Sequence, residues 1–188
     1  MENVLSNYYQ LIERVDALCR SIESSLGDQI TCSAGCSSCC TSITLFPVEA
    51  AAVKMALAAL PAAEIEAIQH HVAEHAAGER CPLLSRQRCL LYAARPIICR
   101  THGLPILVTE EDKKRVDCCP LNLTGNNDLP ASAIIDLERL NTILVAVNAL
   151  FLSQTAELPA GAERLSIAET VLGVTTCLRK ETSDTHHH

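Results

Sequence analysis

Nine of this chain's eleven cysteines fall between Cys32 and Cys119, and four of the nine stand in adjacent pairs. Cys32-x3-Cys36-x2-Cys39-Cys40 opens the set, Cys81, Cys89 and Cys99 follow, and Cys118-Cys119 closes it. Thiols at this density pair as disulfides, bind soft metals or do redox chemistry, and each option implies a different fold. A disulfide framework fits poorly. The total is odd, and the opening MENVLSNYYQLIERVDALCR carries acids and no apolar h-region. A bridge between neighbours such as Cys39 and Cys40 would be strained, because one peptide holds their Cα atoms closer than ordinary bridge geometry requires. At 188 residues the chain can also bury a core without staples. A reduced, cytoplasmic protein whose thiols ligate metal is the expectation.

Composition narrows the function classes. The formal charge is −7, which disfavours a nucleic-acid or anionic-membrane surface. The apolar run from Ile143 to Leu152 is interrupted by Asn148 and is too short to cross a bilayer. His186 to His188 read as a tag remnant, leaving His70, His71, His75 and His102. Trp is absent and other aromatics are few, which argues against base-stacking platforms.

Periodicity places helices around the cysteines. Leu5, Tyr8, Ile12, Val15, Cys19, Ile22 and Leu26 recur at three- and four-residue steps and predict an N-terminal helix over 1–27, stopped by Gly27. Cys19 lies on that stripe and reads as a small buried hydrophobe, as does Cys177 near the C-terminus. Pro47 opens an alanine-rich helix to about Leu60, and a second runs from Pro61 to about Ala77. Further helices are expected within 128–175, one from Leu129 to Gln154 with Asp128 as a cap and one from Ala162 to Leu172. The region 28–122 is different. TCSAGCSSCCTS is rich in residues that let the backbone turn tightly and aim N–H groups at thiolates. Residues 81–120 are punctuated by Pro and Gly, with Ile106 to Thr109 and Arg115 to Cys118 as candidate strands of a small hairpin. The expected fold is therefore mainly α, one domain over 1–185, with a helical frame around a loop-rich, cysteine-bearing metal-binding centre and one small β-hairpin.

Thiolates select zinc, Cu(I) or the iron of Fe–S clusters, and Cys-x2-Cys serves both zinc and iron–sulfur sites. Nine clustered thiols are enough for two four-thiolate sites, and spacing alone leaves one site or two open. Arg88, Arg95 and Arg100 beside Cys89 and Cys99 would suit an anionic cluster, or form ordinary ion pairs. His71 and His75 read as a solvated polar face, since the H-E-x-x-H arrangement is absent. His102, Tyr92 and Glu49 are candidates for groups that support the ligands. A structural metal contributes on the order of 10–16 kcal/mol, against ~5–15 kcal/mol for the net stability of a domain. Segments 28–46 and 81–120 are thus expected to lose order when metal is stripped.

Cys32-x3-Cys36-x2-Cys39-Cys40, then FPVEAAAV, then CPLL…CLLYAARPIICRTHG, resembles the YkgJ-like cysteine-cluster family, named for chelating zinc or iron. The resemblance covers about residues 30–122 and rests on Cys32, Cys36, Cys39, Cys40, Glu49, Cys81, Pro82, Cys89, Tyr92, Arg95, Pro96, Cys99 and Arg100. The family includes a flagellin lysine N-methylase thought to carry a [4Fe–4S] cluster. The resemblance therefore implies an iron–sulfur cluster in preference to Zn2+, without implying the methylase activity. Cys32, Cys36 and Cys39 also look like the three-cysteine spacing of radical S-adenosylmethionine enzymes. Against that, Ser38 stands where those enzymes usually have an aromatic, and no alternating β/α pattern is visible. The expected ligand pool is Cys32, Cys36, Cys39, Cys40, Cys81, Cys89, Cys99 and Cys119, with Cys119 preferred to Cys118 because Pro-Leu-Asn after it reads as a rigid turn. The expected role is electron transfer or support of a partner enzyme. The alternatives are a zinc-stabilised interaction module and an enzyme whose incompletely ligated cluster performs group transfer.

Overall fold

The structure, a computed structural model, describes residues 4–32, 35–111, 113–125, 128–155 and 164–173. Cys177, the tag and the start of the expected last helix lie outside them. The mainly α outline is borne out, with small strand pairs threaded through it. The chain divides into two compact units, residues 1–39 with 95–160, and 40–94 with 161–188.

The first unit is built on α1, Ser6–Leu26. Tyr8, Leu11, Val15, Cys19, Ile22 and Leu26 form its buried stripe, and Leu5 is buried just before it. Leu11 takes the place expected for Ile12, which is half-buried. Burying each such aliphatic side chain is worth about 1.5–3 kcal/mol, so this face fixes the unit. Gly27 ends the helix at φ +51°, where its N–H donates to the Glu23 carbonyl. Against α1 pack the short helix α4, Ile97–Thr101, and the long α5, Leu137–Gln154. The strands β4, Ile106–Glu110, and β5, Lys113–Asp117, form the expected hairpin, with β5 starting two residues early. A third strand, β6 at Ile135–Asp136, joins β4 in parallel.

That third strand corrects the expected start of the C-terminal helix. Pro130 and a short 3-10 turn at Ala131–Ala133 precede β6. Asp136, not Asp128, caps the helix by accepting from the Arg139 N–H. Ile135 is buried where it pairs with Ile106, so the chain just before Leu137 belongs to the sheet rather than to the expected helix.

The second unit holds α2, Pro47–Ala58, and α3, Ala62–His75, each packed on α6, Ile167–Leu172. Two strand pairs were not expected here. β1, Thr44–Leu45, pairs with β7, Leu165–Ser166, and β2, Leu84–Ser85, pairs with β3, Arg88–Cys89. Leu45, Val53, Leu57, Val72, Leu83, Leu91 and Val171 lie in the core of this unit, and Cys81 and Cys89 pack half-buried against it. Glu49 is buried because it caps α2, accepting from the Phe46 N–H at 3.1 Å.

Candidate metal centre

Two groups of thiols emerge, each within one unit. In the first, Cys32, Cys36 and Cys39 follow α1, and Gly35 allows the turn among them at φ +99°. Cys119 reaches the same place from the end of β5. The device that joins them is Asn122, whose side chain is almost wholly buried. Its Oδ1 accepts from the Thr31 N–H at 2.9 Å and the Cys32 N–H at 3.2 Å. Its Nδ2 donates to the Gly103 carbonyl at 2.7 Å. Its own N–H closes a turn onto the Cys119 carbonyl at 2.9 Å, and the Cys119 N–H donates to Gly103. One amide thus ties the Cys32 backbone to the Cys119 turn. Gly103 sits under both at φ +91°, with Cys119 3.6 Å from where a Cβ would stand.

Electrostatics follow that grouping. Partial burial first, then the neighbouring thiolates of Cys36, Cys39 and Cys119, push the Cys32 thiol above its ordinary pKa. Cys36 moves the other way. The Ser38 hydroxyl, 3.6 Å from its sulfur, and the Ser38 N–H hold its thiolate down. An N–H aimed at the first sulfur of Cys36-x2-Cys39 is the support that an anionic ligand needs. Cys118 is raised by burial and by Asp117 next to it; Cys119, rather than Cys118, is the neighbour that acts on Cys32.

In the second unit, Cys40 and Cys81 face each other across a short antiparallel bridge. The Cys81 N–H donates to the Cys40 carbonyl at 3.1 Å, and Ser42 donates to Glu79 at 2.8 Å. Cys81 opens a turn that the Leu84 N–H closes by donating to the Cys81 carbonyl at 2.9 Å. The β2–β3 hairpin then returns Cys89 beside Leu84. Burial pushes the Cys81 thiol up, backbone hydrogen bonding at Leu83 and Leu84 opposes it, and the Cys89 and Cys40 thiolates raise it further.

Cys99 stands half-buried on α4 in the first unit. None of the ten cysteines among the described residues is in a disulfide. Among the described residues no three Cys, His, Asp or Glu side chains close to the spacing of a formed metal site. The thiols are therefore gathered into neighbourhoods rather than held in coordination geometry. Their chemistry, thiolate donors with N–H groups directed at sulfur, fits zinc or an iron–sulfur cluster alike.

The other candidates have local roles. Arg100 forms an ion pair with α1. α4 packs on α1, so its side chain, 6% exposed, bonds Asp16 at 2.7 Å and donates through Nε to the Arg95 carbonyl. Cys19 lies under it, its Sγ 3.5 Å from the Arg100 carbonyl, with burial pushing its thiol to about 11. Arg88 is exposed on β3. His71 and His75 stack at 4.2 Å, but His71 is engaged with the Leu84 carbonyl and His75 with the His71 carbonyl, so they form no metal pair. His102 is exposed at the end of α4, and Tyr92 is 61% exposed. Sequence reasoning missed Asn122 as the organiser. Its one signal was the Pro-Leu-Asn turn after Cys119.

No helix among the described residues is long and apolar enough to cross a membrane. No curated protein and no solved structure matches the chain. The family model described as "CxxCxxCC: Putative zinc- or iron-chelating domain" matches residues 31–127, more than half of the chain and both thiol neighbourhoods, and the chain belongs to that family.

Proposed function

We propose that this protein carries a cysteine-ligated iron–sulfur cluster of the [4Fe–4S] type and uses it for electron transfer or to support a partner enzyme in the cytoplasm. The observation that carries this reading is the fastening of Cys32 to the Cys119 turn by Asn122, with Cys36 and Cys39 as the other thiols that act on Cys32. Four thiolates saturate one cluster. The ligand pool is Cys32, Cys36, Cys39, Cys40, Cys81, Cys89, Cys99 and Cys119. A bound cluster would supply one-electron redox chemistry, and the N–H groups at Cys36 and Cys81 would stabilise its thiolate charge.

A second reading is a zinc-stabilised interaction module. It is favoured by the exposed apolar side chains of Leu90 and Tyr92 beside Leu60 and Ile68 in the second unit, a surface of the kind that takes a partner rather than a polar substrate. Anaerobic purification followed by iron, zinc and acid-labile sulfide analysis separates the two. The cluster reading expects iron and sulfide in equal amounts with a brown colour. Colourless protein holding zinc alone would overturn it in favour of the second.

A further inference from the structure

The cysteine neighbourhoods differ in membership, and the division runs through a peptide bond. Cys39 belongs with Cys32, Cys36 and Cys119, while Cys40, the next residue, belongs with Cys81 and Cys89. Each group has its own backbone anchor. In the first, Asn122 fastens the Cys32 strand to the Cys119 turn. In the second, the Thr41–Arg80 bridge is flanked by main-chain hydrogen bonds from Cys81 to Cys40 and from Ser42 to Glu79, and the β2–β3 hairpin brings Cys89 back beside Leu84. A single centre would need no duplicate of this support. Cys39 ends a turn, whereas Cys40 leads into the bridge that Thr41 makes with Arg80, so the two neighbours belong to different local structures. Cys40 is the residue whose carbonyl joins the extended bridge.

We propose that the thiols form two separate ligand sets for thiophilic metal: Cys32, Cys36, Cys39 and Cys119 in one, and Cys40, Cys81 and Cys89 in the other. This rests on the reading that the cysteines bind metal and holds whether the metal is zinc or cluster iron. The first set is complete for a four-coordinate ion. The second supplies three thiolates from its own unit. Cys99 and Cys118 are assigned to neither set.

The test is cadmium–proton correlation NMR on the full chain, stripped of metal and reloaded anaerobically with cadmium, a thiophilic ion that reports which thiolates share a site. Two cadmium resonances are expected. One should correlate with the β protons of Cys32, Cys36, Cys39 and Cys119, the other with those of Cys40, Cys81 and Cys89. A single resonance, or one resonance correlated with both Cys39 and Cys40, overturns the division. Cys81→Ser with Cys89→Ser should lose the second resonance and keep the first at about full intensity, and loss of both resonances from a variant that retains its helical circular dichroism also overturns it. Metal and sulfide analysis of the protein as isolated is independent of these outcomes. Zinc without sulfide removes the cluster and leaves the two sets standing, and a chain that takes up no cadmium removes both proposals.

Discussion

Asn122 concentrates more long-range bonding than any thiol that it positions. Its orientation is fixed by its partners, since two N–H groups must meet an acceptor and the Gly103 carbonyl must meet a donor. Removing the amide strands these groups, and each buried group left unsatisfied costs about 1–3 kcal/mol. Thr31 and Cys32 lie at the surface and recover water, whereas Gly103 is buried. Asn122→Ala should therefore lower unfolding stability by on the order of 3 kcal/mol and weaken metal uptake at the first set. Denaturant unfolding beside a metal titration checks it, and a variant with the wild-type midpoint would show that Thr31, Cys32 and Cys119 are held by other means. Cys19 offers a contrast. Its thiol is buried, raised to about 11 and spent on the Arg100 carbonyl, so it stays protonated through the physiological range and should resist alkylation in the folded protein. Rapid labelling of Cys19 by a maleimide under native conditions, read by peptide mass spectrometry, would contradict that placement. Cys19 was legible because a helix repeats every 3.6 residues and marks its buried face in sequence. Asn122 was not, because nothing local to CCPLN says which distant backbone it will meet.

At the scale of elements, what could be read and what could not divide along the same line. α1, α2 and α3 carry their own periodicity and proline or glycine boundaries, and the structure keeps them, with α1 starting five residues late at Ser6 and the other ends moved by a turn or less. The β4–β5 hairpin was legible from its β-branched residues and the polar stretch between them. The β2–β3 hairpin was invisible because its two-residue loop is Arg86-Gln87, with φ +46° and +63°. A tight turn of this kind favours Asn-Gly, since both residues sit in the left-handed region. The turn forms anyway because Leu83 and Leu91 on its two arms are buried in the core of the second unit, and the Leu90 N–H donates to the Leu83 carbonyl. Tertiary burial overrides local preference here. The left-handed conformation costs a side-chain-bearing residue about 1–2 kcal/mol, so Arg86→Asn with Gln87→Gly should raise stability by about 1–2 kcal/mol. Because the hairpin carries Cys89, metal uptake should be unchanged or tighter. Thermal unfolding of the double variant checks this, and a lowered midpoint would mean that these two side chains make contacts worth more than the relief. The start of α5 was misread for a related reason. Ile134 falls on the helical spacing with Leu137 and Asn141, but β4 offers Ile135 a ladder partner, and Asp136 caps the helix only afterwards.

For the whole molecule, the question is which parts stand without metal. Each unit has helices that bury apolar faces, and those faces are independent of the thiols: the α1 stripe in the first, and the packing of α2 and α3 on α6 in the second. The β4–β5 hairpin has a full ladder and a third strand beside it. The cysteine segments have less. Cys32 to Cys40 contributes no buried apolar side chain among its described residues, and it is held by a few main-chain bonds and Asn122. The three thiolates near Cys32 would repel one another once deprotonated and uncompensated. Cation binding converts that repulsion into the main stabilising interaction, on the order of 10–16 kcal/mol for a structural ion. Loss of metal should therefore be local rather than global. Hydrogen exchange on chelated protein is expected to show amides of Cys36 to Cys40 and Cys118 to Asn122 exchanging at least tenfold faster, while the amides of α1 and of β4 keep their protection. Acid should reproduce the effect, because thiolate ligands must be deprotonated to bind, so falling pH favours release. Exchange that rises equally in α1 and in the cysteine segments would mean that the metal holds up the entire first unit, and unchanged exchange everywhere would mean that the thiols support no metal that the fold depends on.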